Sequence, residues 1–151
     1  MKHLHGEAQA AVRVPVGDCF AFLAALDAYP SWYADVVREV QVVEADGDAI
    51  PVKAETKLHL AWGPVARDID LLLGVDVEEP RLVQLRHIPR GRSSGASFDA
   101  TWRLEDGAET RLALELDATM PIPRLVPLTG VGNAFADGFM KAAVAKLSSI
   151  G

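Results

Sequence analysis

The sequence predicts an α+β domain: a seven-stranded, curved antiparallel sheet wrapped around one long C-terminal helix, with two short helices after the first strand. Three observations lead there. Apolar and polar residues alternate in seven separate stretches. Helical spacing replaces that alternation in two places only, after Pro15 and in the C-terminal tail. From Glu39 onward short turn signals join the stretches, so successive strands neighbour one another as an antiparallel meander. Such a sheet has one apolar face, and the tail helix is available to cover it.

The first strand is read over Glu7–Val14, where Ala8, Ala10, Val12 and Val14 share a face, and Pro15 stops it. Asp18–Leu26 then shows helical spacing in Phe20 and Leu23 and in Cys19, Phe22 and Leu26, with Asp18 placed to offset the helix dipole. Tyr29-Pro30-Ser31-Trp32 breaks this helix, and Ser31 is expected to cap a second one running to about Val36. A strand follows from Glu39, with Val40 and Val42, up to the turn Ala45-Asp46-Gly47-Asp48.

In Val52–Leu60 one face carries Val52, Ala54, Thr56, Leu58 and Leu60, and the other Lys53, Glu55, Lys57 and His59. After Gly63-Pro64, Val65–Val77 sets Arg67, Ile69, Leu71, Leu73 and Val75 on one face; this long strand is expected to bend or bulge at Gly74. Leu82–Ile88, Ala96–Leu104 and Arg111–Asp117 complete the sheet. Their inner sets are Val83, Leu85 and His87; Ala96, Phe98, Ala100, Trp102 and Leu104; and Leu112, Leu114 and Leu116. Pro121 and Pro123 end it. The tail, from about Leu125 to Ile150, has helical spacing in Val131, Phe135, Phe139, Ala143 and Leu147, with Pro127 and Thr129-Gly130-Val131-Gly132 placed to kink it or delay its start.

The 151 residues suit one domain, 1–151. A formal charge of −6 argues against a nucleic-acid binder, whose footprint is a basic face. Cys19 is the single cysteine, which rules out an internal disulfide and any multi-cysteine zinc site. No segment holds the about 20 apolar residues of a spanning helix. Met1–Glu7 lacks the apolar core of a signal peptide, so a cytoplasmic location is expected. No metal site or cofactor is expected: HExxH, the P-loop, GxGxxG and the nucleophile elbow are missing, and His3 and His5 lie at the chain's start.

Four local patterns carry a family resemblance. They are Val14-Pro15-Val16-Gly17-Asp18-Cys19-Phe20, then Leu26-Asp27-Ala28-Tyr29-Pro30-Ser31-Trp32, then Val40-Gln41-Val42-Val43-Glu44, and Thr101-Trp102-Arg103-Leu104 followed by Asp106-Gly107 and Thr110-Arg111. With the element order, they resemble the START/polyketide-cyclase superfamily (SRPBCC), whose fold is the helix-grip. That superfamily spans lipid carriers, quinone-binding proteins, aromatase/cyclases and dehydrases, so the resemblance reports fold better than function.

The resemblance implies a deep apolar cavity between sheet and long helix. The inner faces are rich in small residues, Ala8, Ala10, Ala54, Thr56, Ala96 and Ala100, which either leave space or let the helix lie close. Burying ~300 Å² of ligand at about 25 cal/mol/Å² contributes roughly 7 kcal/mol before association costs, which suits micromolar binding. The expected function is therefore binding of a hydrophobic small molecule (a lipid, quinone or polyketide-like compound) as a carrier or sequestering protein. The alternative is a polyketide cyclase/aromatase or dehydrase using the same cavity.

The expected ligand-binding set is Trp32, Tyr33, Thr56, Leu58, Arg67, Ile69, Leu71, Leu85, His87, Phe98, Trp102, Phe135 and Phe139. No catalytic residue is assigned. Arg67 and His87 are the candidates: Arg67 either grips a ligand oxygen or reaches water near the hairpin end, and His87 is either an acid/base or a hydrogen-bonded strand-end residue. Asp68 and Asp70 share a face, but the solvent one. Arg81, Arg86, Arg90 and Arg92 form a basic stretch, either a solvated hairpin or a patch for transient contact with an anionic membrane or acidic partner.

Overall fold

A computed structural model describes residues 2–47, 50–62, 64–89, 95–122 and 130–150. The strands are β1 (Lys2–Val12), β2 (Val37–Ala45), β3 (Pro51–Trp62), β4 (Val65–Glu78), β5 (Leu82–His87), β6 (Ser97–Glu105) and β7 (Thr110–Met120). The helices are α1 (Val16–Ala24), α2 (Tyr29–Trp32) and α3 (Val131–Ile150), with a 3-10 turn at Leu26–Ala28. All seven strands form one antiparallel sheet in the order β1-β7-β6-β5-β4-β3-β2. Strands β2 to β7 form the expected meander, and β1 closes it by pairing with β7.

The alternating faces lie as the pattern requires. Ala54, Thr56, Leu58 and Leu60 of β3 are buried, as are Val83 and Leu85 of β5, Phe98, Ala100, Trp102 and Leu104 of β6, and Leu112, Leu114 and Leu116 of β7. Each fully buried Leu or Phe contributes about 1.5–3 kcal/mol. Against this layer α3 buries Ala136, Phe139, Met140, Ala143 and Leu147, the residues of one helical stripe.

Several boundaries differ from expectation. β1 begins at Lys2 rather than Glu7, because ladder pairing with β7 runs from Lys2↔Met120 to Val12↔Thr110. β7 likewise extends to Met120. α2 begins at Tyr29, before Ser31, because Pro30 sits in the first turn, where no amide donor is needed. The Ser31 hydroxyl donates instead to the Ala28 carbonyl. β2 starts at Val37 rather than Glu39 and is an edge strand with register shifts, on which Val42 and Val43 are exposed. β4 shows no register shift at Gly74 in its pairing with β3 or β5. Gly74 instead marks where its partner changes from β3 to β5. α3 starts at Val131, just after Gly130 at φ +81, a left-handed conformation suited to glycine.

One close approach holds α3 to the sheet. Gly6 of β1 and Gly132 of α3 meet backbone to backbone; a Cβ on Gly6 would overlap the Gly132 carbonyl, and one on Gly132 would overlap that of His5. Beside this crossing the Glu7 amide donates to Asn133 Oδ1 at 3.0 Å, so a helix side chain satisfies an edge donor of the sheet. At the far end of β1, Thr110 Oγ1 donates to the Val14 carbonyl and fixes the turn into α1.

Candidate functional site

The inner sheet face is smallest where β3 contributes Ala54 and Thr56, β6 contributes Ala100, and Ala96 stands just before β6, all buried. Leu58, Ile69, Leu71, Leu85, Phe98 and Trp102 surround these small residues and are also buried. Thr56 is one of two buried polar residues in the hydrophobic interior among the described residues. Its hydroxyl donates to the Ala54 carbonyl at 3.5 Å, the long limit of a hydrogen bond.

Aromatic rings run from the small helices to α3. Phe22 and Tyr29 contact Trp32 at centroid distances of 5.0 and 4.6 Å. Trp32 stacks on Tyr33 at 6.1 Å, and Tyr33 meets Phe139 edge-on at 4.6 Å. Phe139 then contacts Phe135 and Phe98 at 5.6 and 5.9 Å. Offset and edge-on arrangements such as these are favoured by the ring quadrupole. The Tyr29 hydroxyl is tied to the Leu23 carbonyl at 2.7 Å, and burial pushes its pKa far up. Burial also raises the Tyr33 hydroxyl, with Asp35 adding to the effect. Trp32 Nε1 is buried and has no acceptor among the described residues.

The two catalytic candidates do not come together. Arg67 lies on the inner register opposite Leu60 but is exposed, near the turn end of the β3–β4 hairpin. His87 is half-buried, opposite Leu73, and its backbone amide donates to Asp99 Oδ1 at 3.0 Å. The six residue steps from Arg67 to Leu73 span roughly 20 Å at ~3.3 Å each. Asp68 and Asp70 are on the outer face; Asp68 accepts from His59 Nδ1 at 2.7 Å, which lowers its pKa.

Of the basic stretch, Arg81 pairs with Glu78 and Arg86 with Asp76 at 2.8 Å, while Arg90 and Arg92 lie outside the described residues. His3 and His5 both approach Asp117 Oδ1, at 3.4 and 2.9 Å, on the outer face. Among the described residues no group of three or more His, Cys, Asp and Glu side chains is arranged to hold a metal ion, and no helix is long and apolar enough to cross a membrane. Cys19 is buried, its thiol against the Val14 carbonyl at 3.6 Å, and burial raises its pKa.

Sequence patterns missed the two places where a glycine admits a neighbour, Gly6 against Gly132 and Gly138 against Tyr33. A residue without a side chain has no hydropathy signal, and its partner is far away in the chain.

No family model matches the chain, and no curated protein does. Solved structures do. A START superfamily protein from Mycobacterium smegmatis superposes with a TM-score of 0.76 at 13% identity, covering 99% of this chain and 100% of that one. The ginseng major latex-like protein 151 from Panax ginseng gives 0.63 at 12%, covering 98% and 97%. The Zhui aromatase/cyclase from Streptomyces sp. R1128 gives 0.54 at 18%, covering 98% and 88%. At these identities the likeness concerns architecture alone: the chain has the helix-grip fold of START-like proteins.

Proposed function

We propose that the protein binds a hydrophobic small molecule between the concave sheet face and α3, as a carrier or sequestering protein. The observation that carries this reading is the pairing of a small-residue layer (Ala54, Thr56, Ala96, Ala100) with an aromatic wall on Phe98, Phe135 and Phe139. Small side chains under a bulky helix favour spare volume, and aromatic walls suit a flat or elongated apolar ligand. Thr56, with its hydroxyl held by only one long bond, would orient a ligand oxygen. The solved neighbours include an aromatase/cyclase, and hydrophobic ligand binding suits this architecture.

The alternative, a cyclase, aromatase or dehydrase, gains nothing from the placement of its candidates, since Arg67 is exposed and roughly 20 Å along the strand from His87's neighbour. Contact with an anionic surface through Arg81, Arg86, Arg90 and Arg92 remains a proposal for which the paired Arg81 and Arg86 supply no free charge. The test is thermal unfolding of delipidated protein against panels of fatty acids, quinones and polyphenols. A ligand held at a hundred times its Kd adds about 2.7 kcal/mol of stability, so a positive hit shifts the midpoint by several degrees. A flat response across all panels sinks the reading.

A further inference from the structure

Resting on the ligand-binding reading, we propose that Tyr33 is the door of that site: its ring rotates off the Gly138 notch of α3 to admit ligand and returns to close it. Gly138 is the first observation. A Cβ there would overlap the Tyr33 hydroxyl, so the tyrosine seats against α3 only because that position has no side chain.

The second is how Tyr33 is held. Its backbone is pinned: its amide donates to the Tyr29 carbonyl at 2.8 Å, and its carbonyl accepts from the amides of Val36 and Val37 at 3.2 and 2.9 Å. Its side chain is not pinned. The hydroxyl makes no hydrogen bond to a described residue, and the ring is held by stacking on Trp32 and an edge contact with Phe139. Motion is therefore a side-chain rotation on a fixed hinge, opposed by ring contacts without a polar lock.

The third is a cost carried by the closed state. Trp32, stacked against Tyr33, keeps a buried Nε1 donor without an acceptor among the described residues. An orphaned donor next to the tyrosine ring would offer a partner to a ligand oxygen that passes it.

The test uses stopped-flow binding of 1-anilinonaphthalene-8-sulfonate to wild type, Gly138→Ala, Tyr33→Ala and Tyr33→Phe. Gly138→Ala wedges the door open, and Tyr33→Ala removes it. An open state of roughly 0.1–10% in wild type makes both variants about tenfold or more faster in association and in dissociation. Tyr33→Phe keeps the ring, so its rates fall closer to those of wild type than the rates of Tyr33→Ala do. Circular dichroism checks that each variant is folded, and Tyr33→Leu substitutes for any that is not. Unchanged rates in both opening variants overturn the door. A wild type that binds no probe removes the ligand site itself, and the door with it.

Discussion

Gly6→Ala tests how the helix that covers the site is held. The added Cβ overlaps the carbonyl of Gly132 and would lie 3.0 Å from the Asn133 amide nitrogen. These are backbone atoms, with no side chain that could swing aside. Carbon contacts relax at about 3.5–4.0 Å, so α3 must retreat by on the order of 1–2 Å. That retreat stretches the bond from the Glu7 amide to Asn133 and loosens the packing of Ala136 and Met140. Overpacking costs typically 1–3 kcal/mol, and a backbone clash belongs at or above the upper end. At about 2–4 °C per kcal/mol for a chain of this size, the melting midpoint falls by roughly 6–12 °C. Gly17→Ala is the matched control: it lies in α1 with open space around it, and gains up to about 1 kcal/mol from helix propensity. Thermal unfolding followed by circular dichroism reads both. A Gly6→Ala midpoint equal to wild type would refute the tight crossing.

Ala100→Leu separates spare volume from a filled layer. With space under α3 it costs below about 1 kcal/mol and weakens probe binding, whereas a filled layer loses about 1–3 kcal/mol, as urea titration would show. Thr110→Val removes the hydroxyl that holds the Val14 carbonyl and is expected to cost roughly 1 kcal/mol by the same titration. The His5–Asp117 bond raises the His5 pKa above 6.5, so its stabilisation is complete below that value and fades as pH rises through the folded pKa. NMR titration should show the raised pKa, and its loss in Asp117→Asn. Asp68 behaves oppositely: His59 lowers its pKa below 3.8, so that contribution is present above this value and disappears as pH falls through the lowered one. An Asp68 titration unmoved by His59→Ala would contradict the assignment.

The fold was legible where period and burial agree. Phe98, Ala100, Trp102 and Leu104 lie on the inner face that alternation assigns, and Phe139, Ala143 and Leu147 on the stripe that helical spacing assigns. Legibility failed where tertiary position overrides pattern. Val42 alternates like a core residue, yet β2 is an edge strand with shifted register and leaves it exposed. His3 and His5 gave β1's first residues no apolar signal, although the ladder to β7 includes them. Arg67 follows the inner register but is exposed next to the turn that joins β3 to β4. The site's small-residue layer was visible in sequence. Its closure was not, because the seat of Tyr33 on Gly138 joins a short helix to a glycine across more than a hundred residues.

The central claim is that apolar volume remains between the small inner-face residues and α3. Diffraction from crystals held under xenon pressure tests it directly, because xenon enters dry apolar cavities and is excluded from close-packed interiors. The account predicts xenon density between Ala54, Thr56 and Ala100 on the sheet and Phe135 and Phe139 on the helix. Side chains in mutual van der Waals contact throughout that layer, with no xenon there, would contradict it.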